Sequence, residues 1–257
     1  MVKGLYTAYT GMLNQQNKVD VIANNLANAA TTGFKKEGST SEAFDAVLAH
    51  KIKDQTSAAR AKYIGTMNLG VKIGENYVDY SQGAFETTDN TYDLALSGDG
   101  FFCVEFTNKA GKTSTKYTRD GSFTLNVDGY LVTKDGDYVL DQSGKRIKLD
   151  PLADARIDES GTIYQNDRAA ARIGLQDFED YNYLEHYGEN YYQPVDGATP
   201  TTSNAWIFEG YLEASNVQVV KEMVELISAT RTYESNQKVI QTIDETLDTA
   251  VNQLGKV

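Results

Sequence analysis

One cysteine, two histidines and three prolines among 257 residues remove several kinds of chemistry at the outset. Cys103 cannot close an intramolecular disulfide, so the fold does without cross-links. It stands in Phe101-Phe102-Cys103-Val104-Glu105-Phe106, where a small apolar strand residue is the expected role. His50 and His186 stand apart from it and from each other, and no Cys/His cluster, glycine-rich phosphate loop or Gly-x-Ser-x-Gly turn occurs. Nucleophilic, zinc and nucleotide chemistry therefore lack their usual parts, and no catalytic residue, metal ligand or cofactor is expected. Long apolar runs are missing too. No stretch approaches the ~20 residues of a membrane span, and the N-terminus turns polar at Asn14 to Asn17 without the apolar core of a cleaved signal peptide. Positive charge is also in deficit. With 24 basic against 36 acidic residues, a net charge of −12 opposes docking on nucleic-acid phosphates or an anionic membrane surface.

What the chain has is heptad periodicity at both ends. Leu5, Tyr9, Met12, Gln16, Val19, Ala23 and Leu26 follow one another in steps of four and three, with Ile22 beside them, which keeps one stripe on one helix face. Asn28, the small residues after it and Gly33 supply the stop, so the spacing predicts a helix of ~35 Å. At the other end Val219, Leu226, Tyr233, Ile240, Leu247 and Leu254 fall seven apart. Met223, Thr230, Gln237, Asp244 and Val251 form the expected second layer, with Ile227 and Ile243 flanking it. Ser215 or Asn216 is the expected N-cap of a helix from about 217 to 254, ~57 Å long. A helix of that length needs partners along it.

Between the ends the texture changes. Asp-Gly recurs at 99–100, 120–121, 128–129 and 135–136, each before an aromatic or apolar run, and Asp141-Gln-Ser-Gly144 and Glu159-Ser-Gly161 continue the signal. Residues 90 to 178 therefore read as antiparallel strands joined by tight hairpins. Residues 35 to 88 read as an extended or irregular connection, with a short amphipathic helix expected over Ser41 to Lys53 on Phe44, Val47, Leu48 and Ile52, then a strand over Val71 to Tyr80. Residues 180 to 205 read as a long loop, and Trp206 as the anchor of the last strand. The whole is α+β: terminal helices at 1–34 and 212–257 pairing as a coiled-coil-like shaft, and a central antiparallel β-rich domain at 89–211.

Two local features have functional readings of their own. Thr124, Asn126, Asp128 and Gly129 suggest a calcium loop, but only two suitable side chains are present and no glutamate follows at the twelfth position, so a hairpin turn is the better reading. Tyr181, Tyr183, Tyr187, Tyr191 and Tyr192, with Glu185 and Glu189, suggest a sugar-stacking platform and hence a secreted cell-wall carbohydrate-binding module. Packing of the loop onto the β domain is the simpler role. The terminal stripes, separated by a β domain and unequal in length, leave apolar surface for neighbouring chains, and head-to-tail use of such surface gives a helical filament.

The run Val21-Ile22-Ala23-Asn24-Asn25-Leu26-Ala27-Asn28-Ala29-Ala30-Thr31-Thr32-Gly33-Phe34-Lys35 resembles the N-terminal signature of the bacterial flagellar rod and hook family. Leu212-Glu213-Ala214-Ser215-Asn216-Val217, Glu222-Met223-Val224 and Arg231-Thr232-Tyr233-Glu234 resemble its C-terminal signature. Gly98-Asp99-Gly100-Phe101-Phe102, Tyr117 to Phe123 and Asp128 to Val132 resemble its β domain. The resemblance implies a structural subunit of the basal-body rod, not an enzyme, exported through the flagellum's own secretion channel. Its partners would be further copies and other rod and hook subunits. Hook subunits carry added outer domains, so a rod protein is the nearer match, and the C-terminal signature leans distal rather than proximal. The expected assembly interface is Leu5, Tyr9, Met12, Val19, Ile22, Leu26, Val219, Met223, Leu226, Tyr233, Ile240, Leu247 and Leu254. The signature positions are Asn24, Asn25, Asn28, Thr32, Gly33, Phe34, Ser215 and Asn216.

Overall fold

A computed structural model describes residues 2–52, 61–108, 111–188 and 190–252. The chain divides into two compact units, one of residues 1–27, 37–79 and 218–257, the other of 28–36 and 80–217.

The first unit contains helix α1 (Val2–Ala27), strands β1 (Glu37–Ala43), β2 (Val47–Ile52), β3 (Ala61–Met67) and β4 (Val71–Val78), and helix α2 (Val219–Asn252). The strands form an antiparallel ribbon of two successive two-stranded sheets: β1 pairs β4 from Glu37↔Val78 to Ala43↔Val71, and β2 pairs β3 from Val47↔Met67 to Ile52↔Ala61. The helix expected over Ser41 to Lys53 is therefore absent. Phe44, Val47, Leu48 and Ile52 have helical spacing by coincidence, and cross-strand pairing decides the conformation. Lys53 lies outside the described residues.

Helices α1 and α2 run antiparallel in constant register. A methyl placed on Gly4 would meet Ile243, one on Gly11 would lie 3.1 Å from Asn236 Nδ2, and Asn25 Nδ2 lies 3.4 Å from Glu222 Oε2. Ala8 and Ile22 are buried on the same face of α1. Small residues there let the two helices approach closely. A second face of α1 lies on the ribbon, where Thr7 Oγ1 donates to Leu69 O and Asn14 Nδ2 donates to Ser41 Oγ at 2.8 Å.

The second unit is built on antiparallel strands, with one 3-10 turn at Tyr181–Tyr183 among its described residues. Its strands are β5 (Phe85–Thr87), β6 (Leu94–Ser97), β7 (Phe101–Thr107), β8 (Thr113–Thr118), β9 (Phe123–Leu125), β10 (Leu131–Thr133), β11 (Tyr138–Val139) and β12 (Ala155–Ile157). There follow β13 (Thr162–Gln165), β14 (Arg168–Arg172), β15 (Leu175–Phe178), β16 (Leu184–Tyr187), β17 (Tyr191–Pro194), β18 (Pro200–Thr201), β19 (Trp206–Glu209) and β20 (Tyr211–Glu213). The main sheet runs β16-β17-β8-β7-β11-β10-β9, with β15 on β7 and β18; β12-β13-β14, β19-β6 and β20-β5 form smaller sheets. Leu94, Leu96, Phe102, Val104, Phe123 and Ile163 lie at its fully buried centre. Alternation along β7 sends Phe102 and Val104 into this core and leaves Cys103 half-buried on the other side, where burial pushes its thiol up to about 12.

Of the four Asp-Gly pairs between residues 99 and 136, two are hairpin turns. Gly129 and Gly136 take positive φ (82° and 93°) and close β9-β10 and β10-β11. The pairs at 99–100 and 120–121 join strands that do not pair with each other, because β6 pairs β19 and β8 pairs β7 and β17. The expected loop at 180–205 is partly strand, β16 to β18. Trp206 anchors nothing: it is 59% exposed, while its neighbour Ile207 is buried.

Candidate assembly interface

The two units bring the signature positions together separately. In the first, Asn25 is fully buried and ties three elements. Its Nδ2 donates to Glu37 O at 2.8 Å, its Oδ1 accepts from Glu37 N at 2.9 Å, and the same amide faces Glu222, itself fully buried on α2. An asparagine suits this position because one side chain both donates and accepts, matching the C=O and N–H of Glu37 where the ribbon begins. Asn24, its neighbour, is on the exposed side of α1.

In the second unit the turn after α1 meets β8 and β20. Thr31 N donates to Asn28 O at 3.1 Å, Gly33 N donates to Glu213 O at 2.8 Å, and Thr32 Oγ1 donates to Asp120 Oδ1 at 2.8 Å. Gly33 has φ +69°, and a Cβ there would lie 2.5 Å from Asp120 N, so only glycine fits. Phe34 is buried to 1% exposure. Ser215 and Asn216 do not cap α2. Ser215 Oγ accepts from Val217 N, and Asn216 Oδ1 accepts from Lys36 N at 2.7 Å while its Nδ2 donates to Ser81 O. The first helical hydrogen bond instead runs from Glu222 N to Gln218 O.

At the centre of this cluster is a buried charge group. Lys35 Nζ contacts Glu213 Oε1 at 2.5 Å and Ser81 O at 2.9 Å. Arg119 Nη1 lies 3.5 Å from Glu213 Oε2, and its Nη2 donates to Gly98 O at 2.8 Å. Gly83 N donates to Glu213 Oε1. The three side chains are between 0 and 3% exposed. Segments from the two ends and the middle of the sequence are thus joined by one carboxylate. Lys35, Arg119, Glu213 and Glu222 were missed as site residues because a lone charge in sequence reads as solvated surface. The signal that identifies them is their position inside, or next to, the signature runs.

The heptad positions divide. Ile22 is buried, while Leu5, Met12, Val19 and Leu26 are half-buried along one flank of α1 and Tyr9 is exposed. On α2, Leu226, Tyr233 and Ile240 are half-buried on the side facing α1, whereas Val219, Met223 and Leu247 are exposed. Leu254 lies outside the described residues. The second layer differs from expectation: Met223, Thr230, Gln237, Asp244 and Val251 are exposed, and Glu222, Ala229, Asn236 and Ile243 take the place facing α1. Small and hydrogen-bonding side chains fit against Gly4, Ala8, Gly11 and Asn25 better than methionine and valine do. Opposite this seam Val220, Val224 and Ile227 are 76, 63 and 54% exposed.

The tyrosines form no open platform. Tyr191 and Tyr192 are buried in β17, Tyr191 donates its hydroxyl to Asp137 Oδ2 at 2.8 Å, and Tyr181 donates to Asp177 Oδ1 at 2.7 Å. Burial, with the Asp137 carboxylate adding to it, holds the Tyr191 phenol above its ordinary range.

Three family profiles match the chain: "Flagella basal body rod protein" over residues 5–35, "Flagellar hook protein FlgE/F/G D1 domain" over 95–165 and "Flagellar basal body rod FlgEFG protein C-terminal" over 209–254. The chain is 36% identical over 259 residues to the flagellar basal-body rod protein FlgF of Caulobacter vibrioides, covering 100% of both chains. It is 36% identical over 275 residues to the basal-body rod protein FlgG of Bacillus subtilis, covering 98% of this chain and 99% of the relative. It is also 32% identical over 272 residues to the hook-basal body complex protein FlhO of Bacillus subtilis, covering 100% of both. Matches that run through both ends and the β domain, on the same residues that converge on Glu213 and Asn25, make this chain a member of the flagellar basal-body rod protein family.

Proposed function

We propose that this chain polymerises through α1 and α2 into the shaft of the flagellar basal-body rod. The helices pair as a coiled-coil-like inner layer, and the β-rich region, read from sequence as 89–211, lies outside it. Like its relatives it is a structural protein and not an enzyme. Its partners are further copies arranged helically and other rod and hook subunits, and it reaches them by export from the cytoplasm. The heptad positions from Leu5 to Leu254 named above form the assembly interface.

The observation that carries this reading is the pattern on α2. One face packs on α1, and the opposite face carries Val220, Val224 and Ile227 uncovered. An apolar stripe of this kind on a long helix is a contact surface. Sedimentation of the wild-type chain and of Leu226→Asp tests it. The wild type is expected to pellet as filaments at high concentration. The variant, with a charge placed on the half-buried seam, should stay soluble while the near-ultraviolet dichroism of the β unit is unchanged. Filaments from Leu226→Asp indistinguishable from wild type would refute the assignment. The carbohydrate-binding alternative has no such support, since Tyr181, Tyr191 and Tyr192 are occupied in packing and hydrogen bonding.

A further inference from the structure

We propose that the stripe on the first turns of α2 in one copy seats in a groove beside the start of α1 in a second copy of this chain, so that copies join head to tail. This rests on the axial reading above and specifies which surfaces meet.

The groove, about 480 Å³, lies where α1 crosses the ribbon and is lined by Lys3, Tyr6, Thr10, Phe44, Asp45 and Leu69. Tyr6 and Phe44 are 60 and 41% exposed, an apolar hollow with one cation and one anion at its edge. The stripe is its apolar counterpart: Val220, Val224 and Ile227 repeat at steps of four and three, and Arg231 and Glu234 continue the same face one turn on. Pairing the apolar surfaces leaves Arg231 available to Asp45 and Glu234 to Lys3, so the two surfaces match in apolar character and in charge.

Groove and stripe are separate surfaces of the helix pair. At about 100° per residue, Val220, Val224 and Ile227 point away from the side of α2 that carries Glu222 and Ala229, and Lys3, Thr10 and Tyr6 lie about 100–160° round α1 from Gly4. The register sets Val224 level with Ala23 of α1, about 25 Å along the axis from Tyr6 at about 1.5 Å per residue. One copy can therefore give its stripe to one neighbour while its groove receives the stripe of another, and the contact propagates when the rotation does not close.

The test uses the full chain in a Cys103→Ala background. Phe44→Cys and Ile227→Cys are made singly and together and treated with a short bis-maleimide at assembling concentration. A mixture of the two single variants is expected to give a cross-linked dimer and nothing larger, and the double variant a ladder of multimers. Charge reversal reads the second part: Arg231→Asp is expected to raise the concentration at which assembly begins at least tenfold, and adding Asp45→Arg to restore it. Filaments without the Phe44–Ile227 cross-link overturn this contact and leave the axial reading standing. Ile227→Cys alone cross-linking to itself shows a closed dimer and overturns it as well. No assembly by the wild type and no cross-link overturn both.

Discussion

Glu213 is the carboxylate that two buried cations share, and its removal is a sharp perturbation of the β unit. Glu213→Ala takes this carboxylate from Lys35 and Arg119, at 1 and 3% side-chain exposure, and from Gly83 N. Removing the carboxylate partner of a buried cation in this way costs about 3–5 kcal/mol, a fifth or more of a total domain stability of about 5–15 kcal/mol. Lys35→Met is the control. It removes one cation but leaves Glu213 held by Arg119 and Gly83 N, so the loss is that of one charged hydrogen bond, about 1.5–3 kcal/mol, partly offset by the apolar side chain. Urea unfolding followed by near-ultraviolet dichroism reports on this unit, because Arg119 stacks over Phe101, 5.4 Å from the ring centre, within the aromatic group of Tyr80, Tyr181 and Tyr192. With a slope of about 2 kcal/mol per molar urea, the Glu213→Ala midpoint should fall by about 1.5–2.5 M and that of Lys35→Met by clearly less. A fall below about 0.5 M for Glu213→Ala, or equal falls for the two variants, would refute the charge assignment.

Gly33→Ala places a methyl 2.5 Å from Asp120 N at a φ of +69°. Thermal melting of the β unit should shift down by more than the few degrees of an ordinary surface change, since both strain and a clash oppose it. Gly11→Leu pushes α2 away from α1, because even a methyl at Gly11 would lie 3.1 Å from Asn236 Nδ2; helical dichroism at 222 nm should drop while aromatic dichroism of the β unit stays. The Cys103 thiol, pushed by burial to about 12, should be inert to a disulfide reagent at pH 8 in the native chain and react at once in denaturant. Rapid native labelling would contradict that burial. Asn25→Leu keeps the volume of a side chain buried to 0% but loses its hydrogen bonds to Glu37 and Glu222, so the helix unit should lose about 2–4 kcal/mol, read as a lower urea midpoint at 222 nm.

Element type was legible where period and length were unambiguous. Helices α1 and α2 carry apolar residues every seven positions for more than twenty residues, and no strand sustains that spacing. The pairing partners within the pattern were not legible. Leu226 and Tyr233 can be joined to a second layer three residues back or four, and Met223 and Val251 made the apolar choice attractive; the actual choice follows Gly4, Ala8 and Gly11, whose small size admits Ala229 and Asn236 at close range. An apolar side chain bound for another copy looks the same in sequence as one bound for the core, as Val220 and Val224 show. The ribbon was hidden because β1, Glu-Gly-Ser-Thr-Ser-Glu-Ala, has almost no apolar alternation and is held by α1 and by backbone pairing. The Glu213 cluster depends on contacts between residues 178 positions apart for Lys35 and 94 for Arg119, beyond the reach of local pattern.

Electron microscopy of the purified full-length chain over a concentration series tests the central claim most directly. The account predicts straight, narrow filaments above a threshold concentration. A protein that remains monomeric, or that closes into discrete dimers at every concentration, would contradict it.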